Sequence, residues 1–240
     1  QRRDFGFMIH YHGTPITPNE TLIKLAGKHF FVSFFRPDNI GIVAEISSTF
    51  AIDNGAFSAY TKGVVIDWCK YKEFVYKWMK PNMNFHIIPD IIGGSWQENM
   101  KLIEGWDIRR SAPVWHMSEP LEMAKELSYS HEYLCIGGNV GKHSNIGSMD
   151  WWQRINEFME AVCDNGVPRC KIHGLRMLDN KLRSMPFYSA DSTNLARHLS
   201  RPDMSRTAAA LCLSHWIESS HASTKWEGLP KQQNLLGMEF

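Results

Sequence analysis

Three aspartates stand at or near the ends of short apolar runs: Asp53 in Ile52-Asp53-Asn54-Gly55-Ala56-Phe57, Asp90 in Ile88-Pro89-Asp90, and Asp191 in Tyr188-Ser189-Ala190-Asp191-Ser192-Thr193. Histidines fall at comparable places: His12 before Gly13, His116 at the end of a run, and His173 before Gly174. Two or three carboxylates converging on one site suit glycosyl transfer by double displacement. One carboxylate attacks the anomeric carbon and holds a covalent intermediate, while another group shuttles protons to the departing and arriving partners. Neighbouring carboxylates also push each other's pKa values apart, which separates nucleophile from acid/base. Each residue has an ordinary structural reading beside this one. A single Asp after a strand is commonly a helix cap or turn former, and the Ser-Thr-Asn after Asp191 is itself cap-like. His116 also reads as a satisfied core histidine. The glycine pairs at 93–94 and 137–138 read either as plain turns or as places where backbone amides approach a planar ligand.

The elements that must position these residues are legible as short runs rich in β-branched and aromatic side chains. They lie at 5–12, 30–35, 50–53, 85–91, 113–117, 133–137, 171–175 and 187–190. Their continuous apolar character suits parallel strands buried on both faces. Helical patterns lie between them. The segment 67–79 places Trp68, Tyr71, Phe74, Val75 and Trp78 on one face. Ser95 introduces a helix over 97–104, Ser118-Glu119-Pro120 one over 121–127, Asp150 one over 151–163, and 205–217 reads as a long final helix. Strands alternating with helices at this length predict an α/β fold, a (β/α)8 TIM-type barrel in one domain over 1–218, with 219–240 as a tail draped on it or partly mobile. An open doubly wound sheet is the competitor, but no G-x-G-x-x-G follows the first strand. In such a barrel, residues at the C-terminal strand ends face the active site.

Composition excludes other classes. The chain has 240 residues with 43% apolar and 21% charged side chains, which is neither fibrous nor disordered usage. No apolar run is long enough for a membrane span, so no membrane partner is expected. Five cysteines at irregular spacings read as reduced thiols, and the first residues lack the apolar core of a secretory signal, so a cytoplasmic setting is expected. A net charge of +1 gives no global basic field. Locally, however, eight cations between 168 and 206 face three aspartates, an excess that could track phosphates or form a solvated helix face.

Taken in order, these motifs resemble the queuine tRNA-ribosyltransferase superfamily of base-exchanging barrels, in particular its short phage and bacterial branch, the 7-deazaguanine DNA transglycosylases. The resemblance runs from about His12 to Leu195. The Asp53 segment is similar to the family's Asp-Ser-Gly-Gly-Phe element, which implies that Asp53 is the general acid/base. Asp90 matches the aspartate that binds the Watson–Crick edge of the base. Ile136-Gly137-Gly138-Asn139-Val140-Gly141-Lys142 resembles the Gly-Gly-Leu-x-Val-Gly-Glu loop, whose backbone reads the same base. His173-Gly174-Leu175-Arg176 matches a pocket wall, and Asp191 falls at the nucleophile.

The resemblance therefore implies catalytic Asp53 and Asp191, with base binding by Asp90, His116, Gly137, Gly138, Asn139, Gly174 and Phe57. Polynucleotide contacts are expected from Lys142, Arg176, Lys181, Arg183, Arg197 and Arg201. The implied partners are guanine-containing DNA and a free 7-deazaguanine base such as the 7-cyano form, with an accessory protein or a homodimer as a further possibility and the host cytoplasm as the setting if phage-encoded. No cofactor is expected. The Cys-x-Cys-x-x-Cys…His zinc site of the tRNA enzymes has no counterpart here: Cys212, His215 and His221 lie in the right region with the wrong spacing. The family's glutamine after the fifth strand is replaced by His116 or a neighbour, and Lys142 stands where the tRNA enzymes carry Glu. Trp115, Trp151 and Trp152 read as core residues or as base-stacking platforms. The rival readings are tRNA as the polymer, a nucleosidase or glycoside hydrolase that hands the sugar to water, and a binding barrel without catalysis.

Overall fold

A computed structural model of the chain describes residues 8–137, 141–178, 185–197, 204–218 and 222–229. Its strands are β1 (Ile9–Gly13), β2 (His29–Ser33), β3 (Thr49–Asp53), β4 (Met83–Ile87), β5 (Ser111–Ala112), β6 (Val114–His116), β7 (Tyr133–Gly137), β8 (Cys163–Asp164), β9 (Val167–Pro168), β10 (Lys171–Gly174) and β11 (Ser189–Ser192). Nine of them form one parallel sheet in the order β5-β4-β3-β2-β1-β11-β10-β7-β6. The two end strands of that sheet are halves of one stretch, 111–116, interrupted at Pro113. Ala112 O accepts from Ile88 N on the β4 side, while Pro113 O accepts from Cys135 N of β7, both at 2.9 Å. Proline has no N–H to give, so the ladder changes partner there and the ring closes through this stretch. The result is a TIM-like α/β barrel with no long free edge.

Helices α1 (Asn19–Lys24), α2 (Ile40–Ile46), α3 (Ala56–Lys62), α4 (Trp68–Lys77), α5 (Trp96–Glu104), α6 (Leu121–Ser130), α7 (Met149–Val162), α8 (Asn194–Arg197) and α9 (Arg206–Glu218) accompany the strands. Their caps follow local chemistry. Asp67 accepts from Cys69 N and Lys70 N at the start of α4, and Ser95 with Glu98 forms a capping box on α5. The helix expected to open at Asp150 is capped two residues earlier by Ser148, which accepts from Trp151 N, and Asp150 sits in its first turn. No helix of the described residues is long and apolar enough to cross a membrane.

Three buried clusters hold the layers together. Inside the barrel lie Tyr11, Phe31, Ala51, Phe85, Ile87, Ala112, Val114, Tyr133 and Cys135. The Phe85 ring stacks on Tyr133 at 4.8 Å and meets Tyr11 edge-on at 5.9 Å. Outside, Trp115, Leu134, Ile136 and Ile172 pack under α6 and α7, while Phe30, Val32, Phe50 and Ile52 pack under α1, α2 and α4. Trp115, Trp151 and Trp152 are buried in the first of these outer layers, which removes them as base-stacking platforms.

Several boundaries differ from expectation. Strand β2 ends at Ser33, so Phe34 and Phe35 belong to the turn, and β4 ends at Ile87, before Pro89. The last strand begins at Ser189 rather than 187, so Asp191 lies within it. Residues 5–7 of the first expected strand are outside the described residues. Helices α2 and α3 carry β-branched or small residues with little periodicity and were not expected from pattern. Asn165 and Gly166, both at positive φ, close the β8–β9 hairpin as a two-residue turn. Of the tail, Trp226 packs on the barrel: its N–H donates to Gly166 O at 2.8 Å and its indole to Asn156 Oδ1 at 3.2 Å.

Phe85 is the ring around which the interior layer is built, so Phe85→Ala is expected to destabilise the fold by about 3–5 kcal/mol. Denaturant unfolding checks this, and a loss near zero would show an interior that is not close-packed.

Candidate active site at the barrel mouth

Strand parity decides which side chains reach the mouth. With Ala51, Val114, Tyr133 and Cys135 facing the interior, Asp53, His116 and Gly137 must face the same way, two residues further along their strands. The same alternation sends Ser189 and Asp191 inward, because Ala190 between them packs outward. His12 pairs with Ser192 in register but points outward beneath α9. There its Nε2 meets Glu218 Oε1 at 3.2 Å and Ser214 Oγ at 3.1 Å. It is a structural residue, as is Gly174, where a Cβ would lie 2.8 Å from Met177 Cβ and 2.9 Å from Phe187 Cε2. Gly174 thus serves packing and is absent from the cavity lining, against the expectation that it binds substrate.

Two concavities share the mouth. The first is a cavity of about 270 Å³ walled by Phe57, Ile87, Val114, Met117 and Leu175, with Asp53, Asn54, Asp90, His116 and Ser118 as its polar groups. Gly137 and Gly141 complete one side. The second is a groove of about 620 Å³ lined by Asp191, Thr14, Ser58, Thr61, Arg36, Lys62 and Arg176, among others. Asp53, Phe57 and Leu175 belong to both, so the two spaces join at Asp53.

Each carboxylate has a different setting. Asp90 is 7% exposed. Its Oδ1 accepts from Asn54 Nδ2 at 2.6 Å, and its Oδ2 lies 2.9 Å from His116 Nε2. Asn54 spends its other amide hydrogen on Ile88 O at 2.8 Å, and its Oδ1 accepts from Ala56 N at 2.9 Å. Burial would lower the His116 imidazole, but the hydrogen bond to Asp90 and the charges of Asp90 and Glu119 outweigh it, so the pKa is raised. Asp191 accepts from Arg176 N at 2.7 Å and has His173 Nε2 at 3.4 Å, with His173 Nδ1 in turn 2.8 Å from Ser189 Oγ. Arg176 makes this contact from a left-handed backbone, φ +57°, with its guanidinium 4.0 Å over the Phe57 ring.

Asp53 has fewer partners. Burial pushes its carboxyl up to about 6, bonds from Ser33 and Gly55 N–H pull it down, and the charges of Asp191 and Asp90 raise it again. Gly55 can supply that N–H because it sits at φ +81°, and a Cβ there would be 2.8 Å from Phe35 Cβ. A carboxyl near 6 gives and takes a proton close to neutrality, as a general acid/base must.

The expected basic residues do not form one patch. Arg169 pairs with Asp164 and Lys171 with Glu132, both at 2.7 Å, and Lys171 opens its strand at the end opposite the mouth. Lys142 is exposed, 4.0 Å from Asp150, in a separate depression beside Ser118. Arg176 lines the groove and Arg197 ends α8. Lys181, Arg183 and Arg201, like Gly138 and Asn139, lie outside the described residues. Arg36 and Lys62 were missed. They follow β2 and close α3, positions that the strand-end rule for barrels points to but a count of charge along the chain does not. Among the described residues no group of three His, Cys, Asp or Glu is placed to hold a metal ion.

Comparison with protein-family models, curated proteins and solved structures finds no match to this chain.

The Asp53 carboxyl binds its proton more tightly folded than unfolded, so ionising it costs stability as pH rises from about 4 through about 6. Asp53→Asn should therefore stabilise the protein by about 1–3 kcal/mol at pH 8, roughly 2–4 °C in Tm per kcal/mol, with the gain vanishing at pH 4. Thermal melts of both proteins at the two pH values check this. An equal shift at both would show that the carboxylate is not strained.

Proposed function

We propose that this chain is a base-exchanging glycosyltransferase that replaces guanine in DNA with a 7-deazaguanine through a covalent aspartyl-glycosyl intermediate. The observation that carries this reading is the junction at Asp53 of an apolar-walled cavity holding Asp90 with a cation-lined groove holding Asp191. A carboxylate fixed at the polar part of an apolar cavity suits a planar heterocycle that presents adjacent N–H and NH₂ donors, as guanine does. The order of motifs resembling the queuine tRNA-ribosyltransferase superfamily gives the same assignment of roles.

In this mechanism the target guanosine is flipped out of its stack, at a cost of a few kcal/mol, and its base enters the cavity against Asp90 and Gly137. Asp191 bonds C1′ as the C1′–N9 bond breaks. The bonding pair leaves with guanine, and Asp53 supplies the proton that neutralises it. The incoming 7-deazaguanine loses its N9 proton to the Asp53 carboxylate, attacks C1′ and displaces Asp191. Two inversions give net retention, and the atoms balance with proton transfer alone. Arg176 N–H donates to Asp191 Oδ1, with His173 Nε2 3.4 Å from the same oxygen, and no hydrogen bond to Oδ2 is formed among the described residues. Arg36, Lys62 and Arg176 give phosphates a place beside the flipped nucleoside, which favours a polymer over a free nucleoside.

Labelled 7-cyano-7-deazaguanine offered with duplex DNA, single-stranded DNA and tRNA tests the reading. Label is expected in DNA, absent with Asp191→Asn and at least about 10²-fold slower with Asp53→Asn. Label in tRNA alone would keep the chemistry and change the polymer; free base released without an incoming one would make the protein a nucleosidase. Removing the groove cations by Lys62→Ala and Arg36→Ala should weaken DNA binding and reduce the slope of log K against log salt by about one for each phosphate no longer neutralised. An unchanged slope would place the polymer elsewhere.

A further inference from the structure

Helix α3 does not descend the side of the barrel. Residues at both its start and its end, Phe57, Ser58, Thr61 and Lys62, line the groove, so it lies along the mouth, and α4 makes the return toward β4. The start of α4 is also level with the mouth, because Tyr71 donates its hydroxyl to Ile87 O at the end of β4, at 2.6 Å. The connection between the two helices, from Gly63 to Asp67, therefore stands on the rim. It is built as a fixed turn. Gly63 closes α3 at φ +64°; its N–H donates to Tyr60 O at 3.2 Å and that of Val64 to Ala59 O at 3.0 Å, the paired bonds of a Schellman cap. At the other end Asp67 caps α4, and Ile66 before it is half-buried. What the turn presents is apolar. Val65 is 93% exposed, Tyr60 54% and Val64 51%, although the residue in Val64's place commonly packs back on its helix. One exposed apolar side chain needs no explanation, but three within six residues on a rim mark a contact surface. The charges beside them are positive or compensated. From 58 to 70 the cations are Lys62 and Lys70 and the single acid is Asp67, which accepts from Cys69 N and Lys70 N and has Lys70 Nζ at 3.4 Å. Lys62, over the Phe35 ring at 4.9 Å, lines the groove together with Arg36.

We propose that Val64 and Val65, with Tyr60 beside them, form an apolar wedge that enters the base stack of duplex DNA at the place the target nucleotide leaves. The inference rests on the base-exchange reading and adds how a paired guanine is made available to the cavity. A nucleotide turned out of a duplex leaves a gap whose walls are apolar base faces. Filling that gap with apolar side chains removes both surfaces from water and offsets part of the lost stacking. Such a wedge must be stiff, short and close to the groups that hold the backbone. The Schellman cap and the Asp67 cap fix the turn at both ends. Valine is branched at Cβ and has little rotamer freedom to lose on insertion. Lys62 precedes Val64 by two residues, so the same turn carries a cation to the groove and an apolar tip to the stack. A narrow tip flanked by lysines, with its one acid compensated, is complementary to a polyanion whose interior is apolar.

The test pairs two readouts on the double variant Val64→Ser, Val65→Ser. One is labelled exchange into fully paired duplex DNA, into duplex whose guanines face mismatched bases, and into single-stranded DNA. The other needs no exchange: the fluorescence of 2-aminopurine set in place of single guanines of the duplex, which rises when that base is unstacked. The unaltered protein should raise the fluorescence on binding. The double variant should lose the rise and exchange at least about tenfold more slowly in paired duplex, the order expected from exposing two valine side chains. Its rate on single strands should not change, and mismatches, which cheapen extrusion, should restore most of the duplex rate. Val65→Leu should keep both signals, and Tyr76→Ser, equally exposed but further along α4 away from the mouth, should leave them unaltered. Equal loss on duplex and single strands, or no loss on either, would overturn the wedge. A fluorescence rise that depends on Val64 and Val65 without any labelled exchange would sink the base-exchange reading and leave a duplex-opening turn. Exchange confined to single strands or tRNA, with no rise in duplex, would keep the chemistry and overturn the wedge. Neither exchange nor a rise would overturn both.

Discussion

Three carboxylates in one barrel mouth repel each other in a place where water cannot fully screen them, and much of the local structure answers that constraint. Asp90 accepts from Asn54 on one oxygen and has the His116 imidazole 2.9 Å from the other. Asp191 takes a backbone N–H from a residue held in the left-handed region, with an imidazole close by. Asp53 is left with a hydroxyl and one glycine N–H, and the excess field falls on it. Unequal compensation thus gives three chemically identical side chains three different settings, with Asp53 the one whose carboxyl is raised to about 6. A more even distribution of donors would stabilise the fold further and leave none of them titrating near neutrality.

The scaffold achieves this with few special backbone positions. Gly55 takes a conformation and a close approach that a side chain would block, and so delivers its N–H to Asp53. Arg176 does the equivalent for Asp191 at φ +57°, at a conformational cost of about 1–3 kcal/mol. Its guanidinium on the Phe57 ring helps to offset that cost and ties the support of Asp191 to the wall that cavity and groove share. The barrel below is dense with rings, His173 among Tyr11, Phe31 and Phe85, so the mouth stands on a floor that does not yield.

Much of this was legible in the amino-acid sequence because buried parallel strands write themselves as uninterrupted apolar runs. The eight runs correspond to the barrel strands, and Asp53, His116 and Asp191 are inward at the mouth for the reason the barrel rule gives. What could not be read is whatever depends on parity or on distance across the fold. His12 and Gly174 occupy strand-end positions like the others but lie on the outward parity, beneath α9 and against Phe187. Arg169 and Lys171 counted toward a basic region near Asp191, yet a strand carries its two ends to opposite faces of the barrel. Arg36 and Lys62 are separated by 25 intervening residues in the chain and meet only because β2 and β3 are neighbours. Asn99 inside α5 and Glu119 just before α6 meet through a bond that no pattern along the chain announces, and Glu119 in turn accepts from the His116 backbone.

The junction of the two concavities constrains the chemistry more tightly than any one residue. If a heterocycle lies in the cavity with its donor edge on Asp90, its opposite side points away from the cavity's polar end, toward Asp53, Phe57 and Leu175, the residues common to both spaces. In a purine nucleoside that opposite side carries the glycosidic nitrogen. The bond between base and sugar would then cross the junction, with the base in the apolar space, the sugar in the groove beside Asp191, and Asp53 next to the bond itself. A ligand without a polar group extending into the groove would fill the cavity and leave the groove beside Asp191 unused. A sugar phosphate without a planar base would leave the cavity that holds Asp90, Asn54 and His116 equally unused. On the reading proposed above, a nucleotide unit within a polymer would engage both spaces at once, and their junction at Asp53, Phe57 and Leu175 is the physical argument for treating them as one site.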